Sequence, residues 1–314
     1  MVNSCSYGER KSYNIGTRGK TMKKTIFWVG ISLIIIGGIF WSTRKMPVSA
    51  DNHKLRVVTS GYVPYSLAKQ IGRERIEVSM LLPVNAEPHS FEPTPGVIVA
   101  INRADMFVYI SDRLEPWAQD ALGESATKAV RLSTVAAPAE DPHVWMDFNN
   151  MRQMAKLLTE KLAEKDPENK SFYEENLHAF LTEMNLLDES FREGLSACQS
   201  REVVHVGHLA FKNLTQNYQL SLSALAGASH DGEHSVHKLA ELIKFIREKQ
   251  VKAIFTEETL SPRLSAAVAE ETGVQVLPLY TVEHVSKDDF DQQVTYGEFM
   301  RRNLQSLKRG LVCR

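Results

Sequence analysis

The spacing of apolar residues changes several times along this chain, and each change predicts an element. From Leu55, "LRVVTSGYVPYSLAKQIG" begins with a β-branched run and continues with apolar residues three and four apart, which predicts a buried strand, a loop and a helix. "RIEVSMLLPV" alternates like a second strand, "GVIVAINRADMFVYIS" reads as a helix then a strand, and "KAVRLS" as another strand. The texture then shifts. After a helix in "NNMRQMAKLLTEKLAEK", the stretch from Glu168 to Arg192 contains no glycine or proline. Within it Leu177, Phe180, Leu181, Met184, Leu187 and Phe191 recur at helical spacing among acids and amides. Asp166-Pro167 ahead of it is a helix-start signal, an aspartate cap followed by proline. Alternation then resumes, with strands in "EVVHVG", "LSLSALAG", "VKAIFTEE" and "VQVLPLY", helices between them, and a closing helix in "YGEFMRRNLQSLKRGL".

Strands alternating with helices imply parallel sheets covered on both faces. The predicted fold is therefore α/β: two lobes, each with a mainly parallel sheet flanked by helices, joined by one long rigid helix. The expected boundaries are a leader at 1–50, an N-terminal lobe at 51–165, a linking helix at 166–199 and a C-terminal lobe at 200–314.

Composition narrows the class. The chain has 314 residues and a net charge of -1, so no basic excess argues for a nucleic-acid partner. Within the leader, Lys23 and Lys24 precede an uncharged, mostly apolar run from Thr25 to Trp41, and Val48-Ser49-Ala50 suits a signal peptidase cutting after Ala50. The competing reading is an uncleaved membrane anchor. Met22 starts a complete signal by itself, so residues 1–21 are expected to be a misplaced start or an expression artefact. No cysteine closely follows the apolar run to serve as a lipid attachment point. Cys198 and Cys313 remain in the mature chain, and the sequence leaves open whether they pair.

The candidate chemistry lies in the histidines. His89, His143 and His208 each fall beyond the C-terminal end of a predicted strand, where ligands of open α/β sheets collect. Neutral imidazole is a good ligand for zinc, and three imidazoles with one oxygen donor make a four-coordinate shell. Pro88 and Pro142 restrict the backbone beside two of the three.

"NAEPHSFEPTP", "DPHVWMD" and "VVHVGHLAF" resemble the three histidine segments of the zinc/manganese substrate-binding proteins of ABC transporters, over about Leu55 to Leu311. The resemblance implies an extracytoplasmic, periplasmic protein that captures a divalent metal between two lobes and delivers it to an ABC membrane permease. It further implies a monomer with no enzymatic turnover. His89, His143 and His208 match the family's ligand positions, and a histidine at the third points to Zn2+ ahead of Mn2+. The family's fourth ligand, an aspartate, falls at Val282, so Glu283 next to it is the candidate. Water could also complete the shell, and His284 is a weaker substitute. Glu257 is expected to orient a ligating imidazole. The cluster His230, His234 and His237 reads as a solvated helix entry or a metal-gathering patch. Two rivals stay open: a secreted zinc-dependent hydrolase, although H-E-x-x-H is missing, and a metal-stabilised surface adhesin.

Overall fold

The computed structural model describes residues 54–84, 86–137, 141–225, 236–257 and 262–314. The leader with its cleavage site, and His230 and His234, lie outside them. Among the described residues, eight short strands form two four-stranded parallel sheets. The first contains β1 (Leu55–Thr59), β2 (Ile76–Met80), β3 (Met106–Tyr109) and β4 (Ala129–Arg131), in the order β2-β1-β3-β4. The second contains β5 (Glu202–Val206), β6 (Ser221–Ala224), β7 (Ala253–Thr256) and β8 (Gln275–Pro278), in the order β6-β5-β7-β8. Both halves thus share one topology, which no internal sequence repeat announced.

Alternation along each strand sends side chains to two buried faces. In β1 and β3, Val57, Met106 and Val108 join the central core, while Val58, Phe107 and Tyr109 join an outer cluster under the helix Pro95–Arg103. In β5 and β7, Val203, Ala253 and Phe255 face the same central core, and Val204, Val206 and Ile254 an outer one. That shared inner core makes the two sheets and the helices between them a continuous body.

Among the described residues the longest helix runs Lys170–Gly194 and buries Tyr173, Phe180, Met184, Leu187 and Phe191 in the central core. Leu177 and Leu181 sit at its edge, half-buried. The Asp166-Pro167 signal gives a 3-10 turn, Pro167–Asn169, before this helix begins. Asp166 accepts from the Tyr173 hydroxyl at 2.6 Å and the Asn169 amide at 2.8 Å, and that diverts it from capping the backbone. The following chain is stapled by a Cys198–Cys313 disulfide, beside which Ser200 N–H bonds the Leu311 carbonyl at 3.1 Å. The closing helix Tyr296–Gly310 starts from a capping box of Thr295 and Glu298. Among the described residues, no helix is long and apolar enough to cross a membrane.

Candidate metal centre

The C-terminal ends of both sheets carry the polar residues that converge. His208 follows β5 after a single residue, Gly207, and its ring Nδ1 lies 2.9 Å from Glu257 Oε2. Its backbone N–H reaches the other oxygen of Glu257 at 3.3 Å. Gly207 is needed for this approach, since a Cβ there would stand 2.2 Å from Glu257 Oε1. His143 is fixed in a similar way. Asp141 Oδ1 accepts its backbone N–H at 2.9 Å and faces its Nδ1 at 3.2 Å, leaving Nε2 to point away. A short turn, Val144–Met146, leads from there to Asp147, whose side chain accepts from Asn150 N–H at 2.8 Å and caps the helix Phe148–Lys165.

His89 rides on the loop after β2, with its N–H bonded to Glu87 Oε1 at 3.1 Å. Glu283 lies beyond β8, next to Val282, which has φ 61. A buried β-branched residue in the left-handed region is strained, and such strain collects at functional sites. Here it turns the chain so that Glu283, rather than position 282, faces the cleft. Trp145 Nε1 donates to the Thr281 carbonyl at 2.8 Å, tying this corner to the His143 segment.

His89, His143, His208 and Glu283 each offer one donor atom, all within 4.8 Å of one another. His89 Nε2 lies 3.1 Å from Glu283 Oε1, and His208 Nε2 3.3 Å from Glu283 Oε2. His143 Nε2 is 3.0 Å from His208 Nε2 and 3.7 Å from Glu283 Oε2. An ion about 2.0–2.1 Å from four tetrahedral donors sets those donors about 3.3–3.4 Å apart. The gap therefore has the dimensions of a tetrahedral zinc shell. His143, His208 and Glu283 are buried, and His89 is nearly so.

Glu283, His89 and His208 shift one another's titration through these short contacts. Burial pushes the Glu283 carboxyl up, but bonds from His208 and His89 and the nearness of His143 outweigh it and hold it well below the usual range. Burial disfavours charge on His208, yet Glu257 and Glu283 override that and push it up to about 10. His89 is raised for the same reason, burial being outweighed by Glu283 and Glu87.

The structure thus brings His89, His143, His208 and Glu283 to one point and puts Glu257 against His208. His284 turns elsewhere, to Ala86 and Glu87. His237 is exposed and pairs with Glu241 at 3.2 Å on its own helix. Sequence reasoning passed over Asp141 as the partner of His143, although an acid two residues before a candidate ligand was the available signal. The left-handed Val282 carried no such signal.

The chain is similar to known proteins in sequence and in structure. The chain is 31% identical over 310 residues to the high-affinity zinc uptake system protein ZnuA of Bacillus subtilis (strain 168), covering 91% of this chain and 97% of that protein. The metal-dependent lipoprotein YcdH of Bacillus subtilis superposes with a TM-score of 0.75 and 34% identity, covering 82% of this chain and 100% of the other. The Zn(II)-bound ZnuA-like domain of Streptococcus pneumoniae AdcA gives a TM-score of 0.73 at 29% identity, over 82% and 99% of the two chains. The profile of the family described as "ZnuA: Zinc-uptake complex component A periplasmic" matches residues 57–310. A match spanning both sheets, the central helix and all four converging side chains makes this chain a member of that family.

Proposed function

We propose that this protein is the extracytoplasmic receptor of a zinc ABC transporter. In this reading, His89, His143, His208 and Glu283 bind Zn2+ between an N-terminal lobe (51–165) and a C-terminal lobe (200–314), with segment 166–199 as the stiff connection. The receptor is a monomer, exported by the leader at 22–50, and it hands the ion to a membrane permease. Relatives named for zinc uptake and zinc binding support the reading. The observation that carries it is the convergence of four donors within 4.8 Å of one another around one gap, three of them buried and His89 nearly so.

The donor set also favours cargo binding over catalysis. Catalytic zinc keeps a coordination position open for water, whereas three imidazoles and a carboxylate close a four-coordinate shell. Nitrogen-rich donors suit zinc better than manganese, which prefers oxygen. Two carboxylates, Asp141 and Glu257, anchor imidazoles from behind, as ligating histidines require.

Titration of the metal-free protein with Zn2+ and with Mn2+ tests the reading. One zinc per chain, bound more tightly than manganese by a protein that is already folded and melts higher once loaded, is the expected result. Unfolding on chelation would favour a metal-locked scaffold instead, and zinc-dependent cleavage of simple esters or peptides would favour the hydrolase. Absence of zinc binding would overturn the reading altogether.

A further inference from the structure

Beside the four donors, another contact crosses the cleft. His284 follows Glu283 in the chain, and its side chain is 2% exposed. Instead of joining the donors it turns to the opposite lobe, where Nδ1 meets the Ala86 carbonyl oxygen at 3.0 Å and Nε2 lies 3.4 Å from Glu87 Oε2. A carbonyl only accepts, so Nδ1 carries the hydrogen. Glu87 in turn uses its other oxygen to accept the backbone N–H of His89 at 3.1 Å. A line of contacts therefore runs from the C-terminal lobe, through Glu87, to the main chain of a donor in the N-terminal lobe.

The loop carrying His89 needs such a tie. His143 and His208 each have a carboxylate behind the ring, fixing the direction of Nε2. His89 is held through its backbone, on a loop that runs from the end of β2 to the helix at Pro95. Orientation of that ring depends on where the loop sits, and His284 grips it at two adjacent residues.

We propose that His284 is a positioning residue for metal capture: by gripping Ala86 and Glu87 it holds the His89 loop across the cleft and slows escape of the bound ion. The inference rests on the zinc-receptor reading above. It assigns His284 a task distinct from that of a donor, and it makes Glu87 the intermediary.

The test compares the full chain with His284→Ala, His284→Asn and Glu87→Gln, loading each with zinc and following release into excess chelator. For His284→Ala, release is expected to be about 10- to 100-fold faster, the usual cost of losing a group that orients a ligand, with association little changed. The metal-free variant should melt only slightly below wild type, by the cost of one buried hydrogen-bonded ring. His284→Asn, whose amide nitrogen stands near the position of Nδ1, should recover part of the loss, and Glu87→Gln should fall between. The cobalt(II)-loaded His284→Ala protein should lose visible absorption intensity, in the same direction expected of His89→Ala, because His89 is displaced from the tetrahedral shell. Wild-type release from His284→Ala would overturn the proposal. So would faster release with a strongly lowered metal-free melting temperature and no recovery by asparagine, which marks general loosening. Failure of the wild-type protein to bind zinc is a different result, since it removes the receptor reading itself.

Discussion

The two lobes share a strand order yet present their donors differently. In the C-terminal lobe, His208 stands one glycine beyond β5 and leans on Glu257, itself the residue after β7. In the N-terminal lobe, eight residues separate the end of β2 from His89, and His143 comes well after the 3-10 turn Leu132–Val135 that follows β4. The buried glutamate of that lobe, Glu115, bonds the Ser60 hydroxyl and the N–H groups of Ile110 and Ser111, not an imidazole. One lobe thus sets its donor with strand ends, while the other brings its donors in on loops that must be tied down. A receptor that loads and unloads an ion gains from that asymmetry, because one half of the shell stays built while the other completes it.

Removing donors should expose the difference most strongly. His143→Ala and His208→Ala, which delete buried donors held by carboxylates, should each lower zinc affinity more than about 100-fold, beyond the usual cost of losing an orienting group. His89→Ala should cost less, since water can reach its position. Equal losses for His89 and His208, measured by competition with a chelator, would break the comparison.

Acidity comes next. His208 is pushed up to about 10 by Glu257 and Glu283 against its burial, and His89 is raised as well, so zinc must displace protons to bind. Affinity should fall as pH drops from 8 to 6, by about tenfold per unit for each proton displaced. The metal-free protein should respond in the opposite sense. A raised histidine stabilises the fold fully below its unfolded value near 6.5, and that contribution is lost as pH rises towards 10. Zinc-induced elevation of the melting temperature should therefore widen with increasing pH, as calorimetry can show.

Orienting groups should have smaller effects. Glu257→Gln should weaken zinc binding by about 10- to 100-fold, and Gly207→Ala in the same direction because the new methyl would displace Glu257. If Asp141→Asn costs as much as Glu257→Gln, the two lobes are equally dependent on a carboxylate behind the ring.

The disulfide should affect affinity least. Cys198→Ser with Cys313→Ser opens a covalent loop spanning 115 residues and should lower stability by about 2–5 kcal/mol while leaving zinc affinity near wild type. Denaturant melts with and without metal would separate the two quantities.

Much of this was legible in the sequence for a physical reason. Period-two and period-3.6 patterns report burial directly, so both sheets and the long helix were readable. The three histidines were readable because strand ends are where such folds gather ligands. What escaped depends on distant pairing or local backbone choice. His284 meets Ala86 across 198 positions of sequence, and Cys198 meets Cys313 across 115, spacings that no local pattern encodes. Val282 belongs to a residue type that avoids positive φ, so the twist presenting Glu283 contradicts local preference and is sustained by the buried surroundings. Asp166 shows the same limit on a smaller scale, because a tyrosine hydroxyl competed successfully for a side chain that capping rules had assigned elsewhere.

The four converging side chains come from four separate stretches, two before the long helix and two after it. No partial chain contains the full set, and no early folding fragment can close the shell around an ion. Possession of zinc would then certify a finished molecule. Any later step that acts only on loaded receptors would reject unfinished copies without a separate checkpoint.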